Sequence, residues 1–379
     1  MKYEDNYREL ESSYYMPAFS RDIMLVKGSG CTVTDAEGRS YLDFVAGIAV
    51  CSTGHCHPKV VKAIQEQAAE LIHCSNLYYV PHQGTLAKRL VEYSGLKKAF
   101  FSNSGAEANE AAIKLARVRT GKKEFIACED GFHGRTMASL ACTHKPAIRE
   151  PFLPLNPRCT FVPYGDADVI RKAITKDIAA VMVEPVQGEA GVIIPPEGYL
   201  REVREICDEK DVLLILDEVQ TGIGRTGKWF AYQHEKIQPD IVSLAKGIAS
   251  GFPMGAIIAR DGLEFLKSEH GSTFAGGPVA CAAALATLDV INEVLPSVAH
   301  KSEQMKKALS AHEIRITGLM AGMTIGDSCP AVQQACRENG VLVNCAAHGN
   351  LRLVPPLVIS AEEIDRGCGV IHAAIESIC

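Results

Sequence analysis

"VLLILDEVQ" (residues 212–220) and "DIVSLAKGIASGFPMG" (residues 240–255) decide the fold. Each begins as a short apolar run and stops on an ionisable side chain, Asp217 in the first and Lys246 in the second. Short apolar runs bounded by turn signals read as strands buried on both faces. Ligands of an open parallel sheet sit beyond the carboxyl ends of its strands, so both residues stand where chemistry would be done. Taken alone, Asp217 also reads as a helix cap or loop acid, and Lys246 as a snorkelling surface lysine. An amine at the end of a buried strand loses its proton readily, which makes Lys246 a candidate nucleophile. Glycines at 247, 251 and 255 leave room around it for a ligand and for backbone turns.

Outward from these strands, between about residues 58 and 280, helical patterns alternate with "KKAFFSN", "EFIAC", "CTFVPY" and "IAAVMVEP". Such alternation predicts βα units and a mostly parallel sheet flanked by helices, an α/β fold. After residue 280 an alanine-rich helix, "PVACAAALATLDVINEV", leads into short strands ("MAGMTIG", "VLVNCA", "LRLVPP") and a final helix over 361–378, an α+β unit. The segment "CTVTDAEGRSYLDF" (31–44) reads as a hairpin. The division expected is an N-terminal arm contributing to the small domain (1–50), a large domain (51–282) and a C-terminal small domain (283–379). Around residues 305–345 the patterning is poor, Asp327-Ser328-Cys329-Pro330 included.

The chain has 379 residues, 47% hydrophobic and 22% charged, with a formal net charge of −6 and no basic block. That argues against a nucleic-acid surface and for small-molecule partners or copies of itself. Fourteen cysteines without a Cys-x-x-Cys pair are expected to be reduced and packed, as in a cytoplasmic protein. The N-terminal residues carry early acids and no apolar signal core. The uncharged stretch 271–288 is broken by Gly276-Gly277-Pro278 and reads as a loop and a buried helix, not a membrane span.

A third element joins the two strand ends. "FFSNSGAEANEAAIKLARVRTG" (100–121) reads as a strand, then Asn103-Ser104-Gly105-Ala106, then a helix whose opening N–H groups would cradle a phosphate. Neither Gly-x-Gly-x-x-Gly nor Gly-Lys-Ser is present there, which disfavours a dinucleotide or a nucleoside triphosphate. A phosphate site, a strand-end acid and a strand-end amine are what pyridoxal 5'-phosphate requires: the acid faces its ring nitrogen and the lysine bonds its aldehyde.

With "GIAVCSTGHCHPKVV", "SNSGAEANEAAIKLAR", "GFHGRTMASL", "VEPVQGEAGV", "LILDEVQTGIGRTG", "SLAKGIASGFPMGA", "GSTFAGGPVACAAAL" and "LRLVPPLVIS" in this order, the chain resembles the class III aminotransferases of fold type I, most of all their acetylornithine branch. The resemblance implies a homodimer with shared active sites, in which Lys246 carries the cofactor and moves the proton. Asp217 would keep the ring nitrogen protonated, Gln220 bond the phenolic oxygen, and Val219 and Phe132 pack on the ring. Ser104, Gly105 and Ala106 would hold the phosphate, with Thr273 arriving from the partner copy and Ser272 turned toward substrate. Arg135 would take the distal carboxylate, and Arg352 the α-carboxylate of the acceptor, masked by Glu189 when an ω-amine is bound. The implied reaction passes the δ-amino group of N2-acetyl-L-ornithine to 2-oxoglutarate, in arginine biosynthesis. Ornithine, succinylornithine, 4-aminobutyrate or acetyl-lysine-type donors would use the same residues. A racemase on this scaffold would have no use for the Glu189–Arg352 pair.

No metal is expected: neighbouring side chains in His55-Cys56-His57 do not converge easily on one ion. His133 reads as a packing or hydrogen-bonding histidine. Tyr14 and Tyr15 are candidates for the substrate mouth.

Overall fold

Asp35 shapes a tight turn near the start of the chain. In the computed structural model, which describes residues 6–379, strands Leu25–Ser29 (β1), Thr32–Asp35 (β2) and Ser40–Asp43 (β3) form an antiparallel meander. Asp35 Oδ1 accepts from the backbone N–H of Glu37 (3.0 Å) and Arg39 (2.9 Å), and Gly38 takes the positive φ (+85°) that closes the hairpin. The hairpin falls where the sequence places it; β1 was not foreseen, because "LVKGS" lacks a strong alternation.

The central sheet contains Lys98–Ser102 (β4), Glu124–Cys128 (β5), Cys159–Val162 (β6), Ile178–Val183 (β7), Leu213–Asp217 (β8), Ile241–Leu244 (β9) and Gly255–Ala259 (β10), in the order β4-β10-β9-β8-β7-β5-β6. Pairings from β9 through β6 are parallel, and β10 runs antiparallel to both neighbours. Strand β10 is the one the sequence did not announce. Ten residues separate Leu244 from Gly255, too few for the crossover that a parallel return needs, so the chain must double back. Every residue of β7, β8 and β9 is buried, which requires cover on both faces and explains their uninterrupted apolar runs.

The alanine-rich segment forms the helix Pro278–Val294, packed against the helix Pro58–Glu70. By length and composition, the helical run Pro278–Ala308 could cross a membrane, yet 61% of its most apolar window is buried inside the fold, as suits a core helix. Beyond it come Ile314–Thr317 (β11), Met320–Thr324 (β12), Val341–Leu342 (β13), Asn344–Cys345 (β14) and Asn350–Leu353 (β15). β11, β12, β15 and β14 make an antiparallel sheet, while β13 pairs in parallel with β3, tying the N-terminal meander to the C-terminal region. The poorly patterned segment holds a turn at Gly326–Ser328 and a helix, Cys329–Glu338, with Pro330 in its first turn, where the missing N–H costs nothing. The final helix, Ala361–Ile378, starts with a reciprocal Ser360–Glu363 cap.

One expectation is corrected here. Cys329 and Cys345 are joined in a disulfide, and twelve other cysteines are free. The helix Cys329–Glu338 packs on β14 and brings the two Cα atoms to 6.0 Å, a juxtaposition that no Cys-x-x-Cys spacing signals.

Arg225 bridges the sheet region and the C-terminal region. Its guanidinium is fully buried and donates to the carbonyls of Leu319 (3.0 Å) and Pro355 (2.5 Å), and burial pushes its pKa down to about 9.

Candidate active site

At the carboxyl ends of the central strands lies a cavity of about 470 Å³. Ten of the residues proposed from sequence line it: Ser104, Gly105, Ala106, Phe132, Arg135, Glu189, Asp217, Val219, Gln220 and Lys246. They come from five separate segments, and the parallel sheet delivers all of them to one edge.

Ser104 caps the helix Gly105–Thr120: its hydroxyl accepts from the Glu107 N–H at 3.2 Å, while Glu107 Oε2 accepts from the Asn103 N–H at 3.0 Å. The opening turn of that helix carries N–H groups without intrahelical partners and the positive end of the dipole, a seat for an anion. A Cβ on Gly105 would meet Val219 Cγ1 at 2.8 Å, so only glycine lets the cap pass so close to the β8 loop. The glycines after Lys246 prove to serve the backbone. A Cβ at Gly255 would lie 2.4 Å from the Ser104 carbonyl oxygen, one at Gly247 2.7 Å from Ser52 Oγ, and Gly251 adopts φ +114°.

Asp217 is buried at the end of β8 and held on both oxygens. Oδ1 accepts from the Val219 N–H (3.0 Å), and Oδ2 from Asn109 Nδ2 (2.7 Å) and His133 Nδ1 (2.8 Å). Burial pulls the His133 pKa down, but the hydrogen bond and charge of Asp217 outweigh it and leave it raised. Beside it, Glu184 is buried and accepts from the N–H groups of Phe132 (2.8 Å) and Gly188 (3.2 Å); burial drives its pKa up. Asn109 and Glu184 were missed in the sequence. Asn109 sits mid-helix, where nothing marks it, and Glu184 follows β7 in the "VEPVQGEAGV" motif, the signal that could have found it.

Lys246 begins a single 3-10 turn straight after β9, with φ +47°, a left-handed conformation unusual for a lysine. Desolvation lowers the pKa of its ammonium, opposed by Glu189 and then reinforced by Arg352. Phe132 and Val219, both half-buried, give the cavity apolar walls. Gln220 is buried, and its side chain occupies the space that a Cβ on Gly188 would fill, at 2.3 Å.

Arg352 is fully buried in β15, opposite Asn344 in the neighbouring strand β14. Its Nη1 donates to Glu189 Oε1 at 2.6 Å and to the Gly188 carbonyl at 3.1 Å, and its Nε and Nη2 both donate to Asn344 Oδ1, at 3.1 and 2.6 Å. Burial works to raise the Glu189 pKa, but Arg352 and then Lys246 hold it below the usual carboxylate range. Asn344 is a third residue that sequence reading missed, since only strand pairing sets it against Arg352. Arg135, by contrast, is exposed at the cavity and has no hydrogen-bond or ion-pair partner among the described residues.

Ser272 and Thr273 stand apart from the cavity of their own chain. Ser272 Oγ accepts from Nδ2 of the cavity residue Asn103 at 3.1 Å, and Thr273 is exposed. Tyr14 and Tyr15 are exposed on an N-terminal helix and its cap and do not line the cavity. The histidines of "GHCHP" are occupied otherwise: His55 Nε2 bonds Asp43 Oδ2 at 2.7 Å, and His57 Nδ1 accepts from the Lys59 N–H as a helix cap.

A helix-capped anion seat, two apolar walls, a fixed carboxylate and a desolvated amine around one cavity fit pyridoxal 5'-phosphate. The known proteins agree. A family profile described as "Aminotransferase class-III" matches residues 15–375. The acetylornithine aminotransferase of Methanosarcina mazei is 52% identical over 98% of this chain and 96% of its own length. A solved structure of Toxoplasma gondii ornithine aminotransferase, described as having partial occupancy of PLP at its active site, superposes with a TM-score of 0.93 at 30% identity, covering 100% of this chain and 96% of its own. Acetylornithine aminotransferase from Elizabethkingia anophelis gives a TM-score of 0.87 at 35% identity, covering 98% of this chain and 99% of its own. With whole-length sequence identity, fold and cavity chemistry in accord, this chain belongs to the class III aminotransferases, enzymes whose cofactor is pyridoxal 5'-phosphate.

Proposed function

We propose that this enzyme moves the δ-amino group of N2-acetyl-L-ornithine to 2-oxoglutarate, yielding N-acetyl-L-glutamate 5-semialdehyde and L-glutamate, and that it serves arginine biosynthesis in the cytoplasm. The observation that carries the reading is the contrast between two arginines. Arg135 stands free at the cavity, while Arg352 is covered by Glu189 at 2.6 Å. Such a site has to accept a terminal amine with no adjacent carboxylate and then a 2-oxo acid that has one. A carboxylate that masks Arg352 in the first case and swings away in the second permits both. The M. mazei relative's name supports the acetylated donor.

When bound, pyridoxal phosphate supplies an electron sink for the carbanion formed at the substrate. This chain's residues do the rest. Lys246, its amine kept readily deprotonated by burial, holds the cofactor and carries the proton between substrate and cofactor. Asp217, fixed by Asn109 and His133, keeps the ring nitrogen protonated. Ser104, Gly105 and Ala106 hold the phosphate, Gln220 the phenolic oxygen, and Phe132 and Val219 the ring. Arg135 grips the distal carboxylate in a bidentate fork.

The working unit in this proposal is a homodimer, with Thr273 reaching the partner's phosphate and Ser272 the partner's substrate. A group of exposed apolar side chains supports it. Asn76 Nδ2 donates to the carbonyls of Ser272 (3.2 Å) and Ala275 (3.0 Å), which brings exposed Leu77, Tyr78 and Tyr79 next to exposed Phe274.

The test is to mix the purified holoenzyme in single turnover with N2-acetyl-L-ornithine, ornithine and 4-aminobutyrate, following the cofactor's visible absorption. Fastest conversion by the acetylated amine supports the proposal; conversion by another amine alone keeps the aminotransferase and replaces the substrate.

A further inference from the structure

None of His312, His372 and Glu376 lines the active-site cavity, yet their ligand atoms all lie within 4.8 Å of one another. His372 and Glu376 are four residues apart on the helix Ala361–Ile378 and so share one face, the spacing with which a helix presents two ligands to one ion. His312 comes from the turn between the helix Val298–Ala308 and β11, and that turn is fixed by its own N–H donating to the Leu309 carbonyl at 3.0 Å. The two helices pack together, which seats the turn over the final helix.

His312 Nε2 and His372 Nδ1 are 2.9 Å apart, with the rings tilted by 49°. Two neutral imidazoles in that contact share a single proton, so one lone pair is bound by the other ring's N–H. We propose that a divalent d-block cation of the zinc type takes the place of this proton, bound by His312 Nε2, His372 Nδ1 and the Glu376 carboxylate, with water completing the coordination. Tetrahedral zinc with nitrogen ligands at about 2.0–2.1 Å sets those nitrogens about 3.3 Å apart, so the pair opens by only a few tenths of an ångström. Glu376 is exposed and free to swing in, and it brings the negative charge that the cation needs. Two imidazoles and one carboxylate suit zinc, cobalt or nickel and are a poor set for calcium or magnesium. The ion would fasten the His312 turn to the final helix, a staple on the C-terminal region that takes no part in amino transfer. Sequence could not show it: the histidines are 60 residues apart, unlike His55 and His57, which are two residues apart but turned to other partners.

The experiment is a calorimetric titration of chelator-treated holoenzyme with zinc chloride, together with cobalt chloride followed by visible d–d absorption. Wild-type protein should bind one equivalent per chain and melt at a higher temperature with the ion. His372→Ala should weaken binding by more than about tenfold, with Glu376→Gln, at an exposed position that folding does not depend on, weakening it too. A variant lacking the two exposed thiols, Cys56→Ser/Cys379→Ser, should bind as wild type. Absence of binding, equal binding by wild type and both ligand variants, or loss of binding with the thiols would each overturn the site. The readout is independent of which amine the enzyme uses.

Discussion

Arg352 Nη1 lies 2.6 Å from Glu189 Oε1, with the arginine side chain 1% exposed and the carboxylate 34% exposed. The asymmetry sets the direction of any switch: Arg352, pinned by Asn344 and the Gly188 carbonyl, is the fixed member, and Glu189 is the one free to leave. Replacing Glu189 by Ala uncovers a buried cation permanently. The expected result is a drop of about 10–100-fold in kcat/KM for the ω-amine donor, the worth of a charged hydrogen bond, while the glutamate half-reaction keeps its rate. Stopped-flow traces with each donor separately would show this, and equal losses for both would remove the switch.

In the proposed mechanism Asn344 acts on substrate only through Arg352, whose Nε and Nη2 it holds. Asn344→Ala should raise KM for 2-oxoglutarate about tenfold, the cost of one hydrogen bond to a charged group, with kcat and the ω-amine half-reaction nearly unchanged. An equal effect on both half-reactions would mean that Asn344 merely supports β14.

Lys246→Ala should retain pyridoxal phosphate by its phosphate and ring contacts yet lose at least about 10²–10⁴-fold in turnover, the contribution of a positioned acid–base group. Because burial lowers the lysine's pKa, the wild-type apoenzyme should recapture the cofactor faster as pH rises, with a midpoint below the ordinary lysine value of 10.5. Absorbance after addition of cofactor across pH reads both effects.

Glu218 gives a pH dependence of stability. It is buried, accepts from the N–H groups of Ala231 (2.9 Å) and Tyr232 (3.0 Å) and from Thr221 Oγ1 (2.8 Å), and burial raises its pKa to about 7. A carboxyl whose folded pKa exceeds its unfolded one stabilises the fold at low pH, and that gain is lost as pH climbs from the ordinary value of 4.5 to about 7. The loss from this one residue is about 3 kcal/mol. Denaturant titrations between these two pH values should show a falling stability whose slope is shallower in Glu218→Gln; an unchanged slope would assign the proton to another group.

The sequence by itself determined the elements with local signatures. β8 and β9 are short apolar runs ended by ionisable residues, and helices Pro278–Val294 and Ala361–Ile378 begin and end where composition and caps dictate. The Ser104 cap, Asp217 and Lys246 were legible for the same reason: strand ends and helix starts are written in neighbouring residues. Tertiary structure alone decided what depends on residues far apart in the chain. The reversal of β10 follows from a connection too short for a crossover, and the pairing of β13 with β3 joins segments some 300 residues apart. Asn344 faces Arg352, Asn109 faces Asp217, Cys329 meets Cys345 and His312 meets His372 because sheets and helix packing place them there. No local pattern encodes such encounters, since the free energy that fixes them is the burial of the whole core and not the preference of any one segment.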